Sequence, residues 1–271
     1  MINFSIITVC YNDRHGLKKT MDSVFCQTID NYEFLIIDGG SSDGSKELIM
    51  QYKDKLSFCC SEPDSGIYNA MNKGVKYAKG KYVLFLNAGD VFHSKSVLEE
   101  VAGQLDDKDI VSGYALRNGK SILNIHEKNI LMMLFHSTFS HQSTFIKREL
   151  FDDYQYDESL RFVSDWKAWV DWVILGNKTY KYIDTIVADY DFNGISSDSS
   201  NWKKIVAERQ QVLQNAFSPL VLYNLNILHD VYMQTHFKYI VGHQNIKKIC
   251  FALWKPMAFF GKLISKNNLN E

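Results

Sequence analysis

The chain up to residue 115 alternates short apolar runs with segments whose apolar residues recur at helical spacing. Runs of this length bounded by Gly, Ser, Asn and Asp predict strands, and a period of 3.6 predicts helices. The predicted strands are residues 4–10, 33–38, 56–62, 81–86 and 109–115. The predicted helices are residues 16–27, 41–52, 66–80 and 94–105. This repetition predicts an α/β fold in which a mostly parallel sheet is flanked by helices.

The pattern changes twice further along the chain. Between residues 116 and 197 it is irregular, with strands expected at 122–128 and 178–192 and helices at 129–136 and 165–176. From residue 198 onward the pattern is entirely helical. We therefore predict a domain over residues 1–197 that binds ligand and carries the chemistry, followed by a helical appendage over residues 198–271.

The composition of the chain bears on its partners, on the state of its cysteines and on its compartment. Thirty Lys and Arg against 31 Asp and Glu give no positive charge for a nucleic-acid partner. The five cysteines are odd in number and lack metal-ligand spacing, which favours free thiols in a reducing compartment. The amino terminus has no basic start and no cleavage site. A cytoplasmic protein is therefore expected.

Polar residues collect where the predicted strands end. Asp38, Asp64 and Asp90 follow the second, third and fourth strands. Ligands of open α/β sheets bind beyond the carboxyl ends of the strands, so these carboxylates predict a shared anionic or metal-linked pocket. Asn, Gly and Asp are also turn formers, and a simple turn remains the alternative.

Several well-known phosphate and catalytic motifs are missing. The first β–α turn, CYNDRHG, has no GxGxxG, and the chain contains no GxxxxGK[ST], HExxH or GxSxG. Dinucleotide cofactors, P-loop chemistry, zinc proteolysis and nucleophile-elbow hydrolysis are therefore not indicated.

Three stretches together resemble glycosyltransferase family 2, of the GT-A fold and the bacterial surface-polysaccharide type. They are FSIITVCYND, FLIIDGGSSDGS and SEPDSGIYNAMNKGVKYAKGKYVLFLNAGDVF, in this order, and the likeness covers about residues 3–195. The resemblance implies inverting transfer of a sugar from a nucleotide diphosphate donor, most simply a UDP-sugar. The implied acceptor is a glycan or a lipid-linked glycan used in cell-surface polysaccharide synthesis.

The resemblance also implies which residues bind the donor. Asp38 corresponds to the carboxylate that accepts the imide N–H of the base, a charge-assisted hydrogen bond. The full set of implied donor-binding residues is Thr8, Cys10, Tyr11, Asp38, Asp64, Gly66, Asn72, Asn87 and Ala88.

The stretch FLNAGD falls where the family carries its DxD motif, and it departs from that motif. Asn87 replaces the first acid, Gly89 stands at a position that commonly binds the metal, and Asp90 keeps a carboxylate. Asn87 can still bond a ribose hydroxyl. One carboxylate with waters and phosphates can hold Mg²⁺, so Mn²⁺ or Mg²⁺ bound by Asp90 is expected.

Acceptor activation needs a base, and the resemblance assigns it to Asp165 in RFVSDWKAWVDW. The alternative is that Asp165 only caps the helix that follows. His141 and Gln142 correspond to a family segment near the acceptor pocket.

Residues 246–266, IKKICFALWKPMAFFGKLISK, combine an apolar stripe at helical spacing with five lysines and no acid. This pattern is typical of a helix that lies on an anionic membrane surface, and packing on the core or on a second subunit is the alternative.

Two rival functions remain open at this level: a nucleotidyltransferase and a non-catalytic protein that binds nucleotides or glycans. The glycosyltransferase hypothesis requires Asp38 and Asp90 at one edge of the sheet, with Asp165 reached from the same cleft.

Overall fold

The computed structural model of the protein describes residues 2–117, 120–121, 134–135, 138–190 and 199–233. The strand predicted at 122–128, most of the helix predicted at 129–136 and the basic segment 246–266 lie outside these residues. The chain divides into two compact units, Met1–Val212 and Leu213–Glu271. The domain boundary expected after residue 197 stays a prediction.

The described strands all belong to one mixed sheet in the first unit. They are β1 Phe4–Cys10, β2 Tyr32–Asp38, β3 Phe58–Ser61, β4 Tyr82–Phe85, β5 Val91–Phe92, β6 Ile110–Arg117, β7 Lys120–Ser121, β8 Thr144–Lys147 and β9 Tyr180–Asp189. The described α-helices are α1 Arg14–Phe25, α2 Ser45–Gln51, α3 Ile67–Tyr77, α4 Val97–Ala102, α5 Ser164–Trp169, α6 Trp202–Ala216 and α7 Pro219–Met233. The α/β architecture flanked by helices, expected from the sequence, is confirmed.

The strand order is β3-β2-β1-β4-β8-β6-β9-β5, with β7 paired to β6. The pairs among β3, β2, β1 and β4 are parallel, as predicted. The next strand, β8, pairs antiparallel to both β4 and β6, so the sheet is mixed beyond its first half. Because β2 and β4 lie on opposite sides of β1, the strand order reverses there, and a crevice forms at such a switch point.

The centre of the sheet explains why the first run is so apolar. All seven residues of β1 are buried, since helices cover both faces of the parallel half. Its two hydroxyls are paired: Thr8 Oγ1 donates to Leu86 O at 2.6 Å, and Ser5 Oγ donates to Glu33 Oε1 at 2.6 Å. These two buried hydroxyls therefore link neighbouring strands, and neither is left without a hydrogen-bond partner.

The aromatic helix predicted at 165–176 is present but changes its winding. α5 ends at Trp169, and Val170–Leu175 continue as a π-helix in which Gly176 N donates to Asp171 O at 2.8 Å. Wide turns of this kind occur often near functional sites.

The described part of the second unit consists of the end of α6 and the whole of α7. Leu225 is buried, while Leu220, Tyr223 and Leu228 are exposed. Among the described helices, none is both long and apolar enough to span a membrane.

Candidate active site

The carboxyl ends of β2 and β4 lie at the same edge of the sheet, on either side of β1. Cys10 at the end of β1 is level with Asp38 at the end of β2. On the other side, Ala88 N donates to Val9 O at 3.0 Å. The loop Asn87–Asp90 therefore emerges beside β1 at the edge that also carries Asp38.

Asp38 is fully buried, and its carboxylate is surrounded by donors. Ser41 N donates to Oδ2 at 3.1 Å, Ser61 Oγ donates to Oδ2 at 2.6 Å, and Ser41 Oγ donates to Oδ1. In this conformation both oxygens hold the β2–α2 turn and β3 in place. The assignment of Asp38 to base recognition stays a prediction.

The other strand-end residues differ in how open they are. Thr8 and Cys10 point into the protein, and burial raises the pKa of the Cys10 thiol to about 11. Tyr11 is 69% exposed. A Cβ at Gly39 would lie 2.6 Å from Asp64 Oδ2 and 3.3 Å from the Tyr11 ring. The missing side chain at Gly39 therefore lets a carboxylate and an aromatic ring approach each other at the open edge.

Asp64 also shapes the entry to α3. Its Oδ1 accepts from Gly66 N at 2.9 Å, and Gly66 has a φ of 135°, which favours glycine. Asn72, one turn into α3, clamps Tyr156: its Nδ2 donates to Tyr156 O and its Oδ1 accepts from Tyr156 N, both at 2.9 Å. A donor-binding role for Asn72 remains untested.

The loop Asn87–Asp90 is shaped by a residue that the sequence did not point to. Thr20 of α1 is fully buried, and its Oγ1 donates to Asp90 O at 2.7 Å and accepts from Gly89 N at 3.0 Å. Asp90 N donates to Asn87 O at 3.0 Å, which closes a tight turn. Asp90 itself is buried. Among the described residues, no group of three or more His, Cys, Asp or Glu is placed to share a metal ion.

Asp165, at the start of α5, is held by side chains from distant parts of the chain. Tyr68 OH donates to Oδ1 at 2.9 Å, and Trp166 N donates to the same oxygen at 2.9 Å. His141 Nδ1 lies 3.4 Å from Oδ2. Oδ1 is thus fully engaged, whereas Oδ2 retains capacity to accept a proton.

His141 links Asp165 to the loop after β4. Its Nε2 lies 3.1 Å from Asn87 Nδ2. If Asn87 Nδ2 donates to Nε2, then His141 is neutral and its proton lies on Nδ1, facing Asp165. If His141 is instead protonated on both nitrogens, the Asn87 amide must be turned over so that Oδ1 accepts from Nε2. Gln142 follows in the same short 3₁₀ turn and is half-buried. The candidate base is therefore one side chain away from the candidate donor loop.

Burial and hydrogen bonding compete at this cluster. Burial raises the pKa of the Asp165 carboxyl, but the hydrogen bonds from His141, Tyr68 and Trp166 N outweigh it and hold the pKa below its usual range. Burial lowers the pKa of His141, and the Asp165 carboxylate outweighs this effect, so the net shift is upward. Burial and Asp165 raise the pKa of Tyr68, which therefore stays a donor. Asp165 is an ionised carboxylate at neutral pH.

The pair remains reachable from outside. The side chains of His141 and Asp165 are each 21% exposed. A pocket that reaches both is walled by the aromatic rings of Phe139, Tyr156, Trp169 and Trp172. A reactive carboxylate in such surroundings is shielded from bulk water without being sealed off.

Unpaired buried polar atoms concentrate at this cluster. In the described residues, the buried side-chain atoms that lack a hydrogen-bond partner are Asn87 Oδ1, Ser164 Oγ, Trp166 Nε1 and Arg209 Nε. Ser164 and Trp166 flank Asp165, Asn87 contacts its partner His141, and Arg209 stacks on Trp166. Orphaned polar atoms are rare in folded proteins and mark places where a ligand or water completes the bonding.

Sequence reasoning missed Thr20, Tyr68 and Arg209. Each lies on a helix, where Thr and Tyr at apolar spacing indicate core positions and an Arg indicates a solvated face. The residues that they contact are 43 to 97 positions away, so no local pattern could reveal them.

A parallel sheet half with a switch-point crevice, a turn with one carboxylate and a half-buried acid joined to it through His141 are typical of α/β enzymes that bind their ligand beyond the strand ends. The family model described as "Glycosyl transferase family 2" matches residues 5–167, more than half of the chain. The chain belongs to glycosyltransferase family 2 and is an enzyme of that family, so the resemblance seen in the sequence is confirmed.

Relatives of similar sequence carry related names. A "PGL/p-HBAD biosynthesis glycosyltransferase" of Mycobacterium bovis is 29% identical over 202 residues, which are 72% of this chain and 79% of that protein. An "uncharacterized glycosyltransferase" of Rickettsia prowazekii is 29% identical over 185 residues, covering 61% and 57% of the two chains.

Solved structures support the fold. S. aureus TarS 1-349 has a TM-score of 0.59 at 19% identity, with 80% of this chain and 72% of that chain covered. The mannosyltransferase PcManGT from Pyrobaculum calidifontis, solved with GDP-Man and Mn²⁺, has a TM-score of 0.57 at 13% identity, covering 90% and 84%. At these identities the likeness establishes the GT-A fold.

Proposed function

We propose that this enzyme is an inverting glycosyltransferase that moves a sugar from a nucleotide diphosphate donor, UDP-linked, to a hydroxyl of a glycan or lipid-linked glycan in cell-surface polysaccharide synthesis. The observation that carries the proposal is the chain of contacts Asn87–His141–Asp165, which joins the donor loop to an ionised carboxylate. A base on one side of the anomeric carbon and a leaving diphosphate on the other is the arrangement that inversion needs.

Each group has a role in the transfer. The acceptor hydroxyl attacks the anomeric carbon, the bond from that carbon to the diphosphate oxygen breaks, and the nucleoside diphosphate departs with the electron pair. Asp165 Oδ2 takes the acceptor's proton. Tyr68 and Trp166 N hold Oδ1 so that the carboxylate keeps its orientation during the step.

Donor binding is assigned to the edge of the sheet that carries Asp38 and the Asn87–Asp90 loop. Tyr11 and Asp64, adjacent across Gly39, offer a ring and a carboxylate for a nucleobase. Thr8, Cys10, Asp38 and Gly66 form the frame beneath them. The UDP assignment is supported by S. aureus TarS, whose structure was solved with UDP-GlcNAc. That structure matches this chain with a TM-score of 0.56 at 17% identity.

The residues present suit a hard divalent cation held mainly by the substrate. Asp90 is a carboxylate at the end of β4, and the neutral amide of Asn87 leaves the rest of the charge neutralisation to the ion and its waters. Mn²⁺ or Mg²⁺ held by Asp90 and the donor phosphates would neutralise charge on the departing diphosphate. PcManGT, which has the same fold, was solved with Mn²⁺.

The decisive experiment compares two aspartates that make the same contact. Asp165 accepts from Tyr68 OH at 2.9 Å, and Asp171 accepts from Tyr154 OH at 2.9 Å. With UDP-sugars, GDP-mannose, Mn²⁺ and a panel of glycan acceptors, Asp165→Asn is expected to lower kcat by about 10²- to 10⁴-fold. UDP affinity by calorimetry should stay unchanged, and Asp171→Asn should keep transfer.

Other outcomes separate the rival functions. If Asp165→Asn weakens UDP binding and transfer equally, Asp165 is only a helix cap. Tight UDP-sugar binding without turnover in every acceptor mixture would indicate a non-catalytic binding protein. Release of pyrophosphate from a nucleoside triphosphate would indicate a nucleotidyltransferase.

A further inference from the structure

Arg209 is a cation near Asp165 that forms no ion pair within the described part of the chain. Arg209 lies on α6, and its guanidinium carbon is 5.0 Å from the centre of the Trp166 ring. Its Nε is shut off from solvent and has no hydrogen-bond partner. Among the ion pairs of the described residues, none includes Arg209. A buried N–H without a partner costs free energy, so the Nε of Arg209 is an unmet donor in this structure.

The position of Arg209 is fixed by its neighbour. The Glu208 carboxylate accepts from Arg161 N at 2.9 Å and from Phe162 N at 2.8 Å. These two bonds attach α6 to the segment that leads into α5. The backbone at Arg209 is therefore anchored close to Trp166, within reach of its ring.

The charge environment of Arg209 points to the acceptor side of the site. Burial lowers the pKa of the guanidinium, and the Asp165 carboxylate opposes that shift. Asp165 is the acid whose field reaches Arg209, while Asp38, Asp64 and Asp90 belong to the donor edge. The hydrogen bonds of Asp165 within the described residues come from Tyr68, Trp166 N and His141, and none of them comes from Arg209.

We propose that Arg209 binds an oxyanion, a phosphate or a carboxylate, that the acceptor carries near the hydroxyl it offers to Asp165. A guanidinium presents paired donors that match either group, and stacking on Trp166 holds its plane in place. The unpaired donors on Ser164 and Trp166 lie in the same neighbourhood. The inference rests on the proposed function because it takes Asp165 to face the acceptor.

The test is equilibrium binding to the full chain and needs no turnover. Glucose 6-phosphate, glucuronate and glucose serve as probes, each titrated in the presence of saturating UDP, and UDP is titrated separately. We expect the wild type to bind the two anionic sugars about tenfold more tightly than glucose, the scale of one charged hydrogen bond. Arg209→Gln should remove that preference, and Arg209→Lys should retain part of it.

A matched control is Arg148→Gln, because Arg148 is exposed and pairs with Asp152 at 2.7 Å on the surface. Its anion preference and UDP affinity should match the wild type. Thermal melting of every variant checks folding, and Arg209→Lys keeps the test usable should Arg209→Gln unfold.

Two results would overturn the proposal. An anion preference that survives in folded Arg209→Gln means that the side chain only packs on Trp166. A loss of UDP affinity in place of the sugar preference means that the oxyanion belongs to the donor. Failure to find any transfer activity would count against the proposed function and leave this binding result standing.

Discussion

The two sides of the candidate site differ in how completely their polar groups are paired. On the donor edge, Asp38 is saturated by serine donors and Asn72 by the backbone of Tyr156. On the acceptor side, Ser164, Trp166 and Arg209 each bury an atom without a partner, and Asn87 Oδ1, where the donor loop meets His141, is the exception on the donor edge. A region whose polar groups are all hydrogen-bonded has its structure before any ligand binds. A region with unpaired polar groups obtains the missing hydrogen bonds from its ligand. The donor edge is therefore a rigid platform, and the acceptor side is where specificity remains to be supplied.

The largest expected effect concerns Asp90, the proposed metal ligand on the donor edge. Asp90→Asn removes the charge with almost no change in shape. We expect that Mn²⁺ no longer strengthens UDP binding in this variant. We also expect kcat/KM to fall by about 10²-fold or more, because an ion without its carboxylate ligand no longer neutralises the charge on the departing diphosphate. Calorimetry of UDP with and without Mn²⁺ measures the first effect. Wild-type protein treated with EDTA is the reference, and an unchanged Mn²⁺ response would remove Asp90 from the metal site.

His141 is expected to have the next largest effect, because it connects the two sides. His141→Asn keeps a donor near the Nδ1 position that faces Asp165, and His141→Gln keeps a group near the Nε2 position that faces Asn87. The Gln variant should lose about 10- to 100-fold in kcat, the cost of one charged hydrogen bond, and the Asn variant less. Donor KM should barely change. His93→Asn is the control, because His93 pairs with Asp189 at 3.2 Å and does not contact Asp165.

The same variants predict a change in pH dependence. The proposed base, Asp165, works in its ionised form, so activity is expected to rise with pH through its pKa, which lies below the usual value. Loss of the His141 hydrogen bond raises that pKa, and the acid limb of the kcat profile should move to higher pH in His141→Gln. The charged or titratable groups facing Asp165 are His141, Tyr68, Tyr156 and Arg209. An acid limb that does not move would mean that His141 has only a structural role.

The smallest effects are expected from a matched pair of serine substitutions, one on the donor edge and one on the acceptor side. Ser61 Oγ donates to Asp38 at 2.6 Å, whereas Ser164 Oγ is buried without a partner. Ser61→Ala should lower the free energy of unfolding by about 1–3 kcal/mol because it leaves a buried carboxylate short of a donor. Ser164→Ala should be neutral or slightly stabilising. Urea denaturation followed by circular dichroism measures both, and equal losses would contradict the contrast between the two sides.

The parallel half of the fold could be predicted because its signals are local. The run FSIITVC is buried along its whole length, and β2, β3 and β4 each lead into a segment rich in Gly, Ser, Asn or Asp. The position of β8 could not be predicted in this way, since antiparallel insertion beside β4 depends on long-range pairing. The π-helix at Val170–Leu175 was equally hidden, because its apolar residues also fit an ordinary helix.

The candidate site was predicted in part for the same reason. Asp90 and Asp165 stand at element ends, where the sequence places polar residues visibly. The partners that give Asp165 its properties, Tyr68 and His141, approach from α3 and from the turn before β8. Such contacts depend on how elements pack, which spacing along the chain does not encode.

The hydroxyl of Thr20 hydrogen-bonds to main-chain atoms of the Asn87–Asp90 turn. It makes no hydrogen bond to the side chains at positions 87 and 88. Substitutions at those two positions therefore need not redirect the path of the turn. Asn87→Asp is therefore expected to place a second carboxylate beside Asp90 while the path of the turn stays the same.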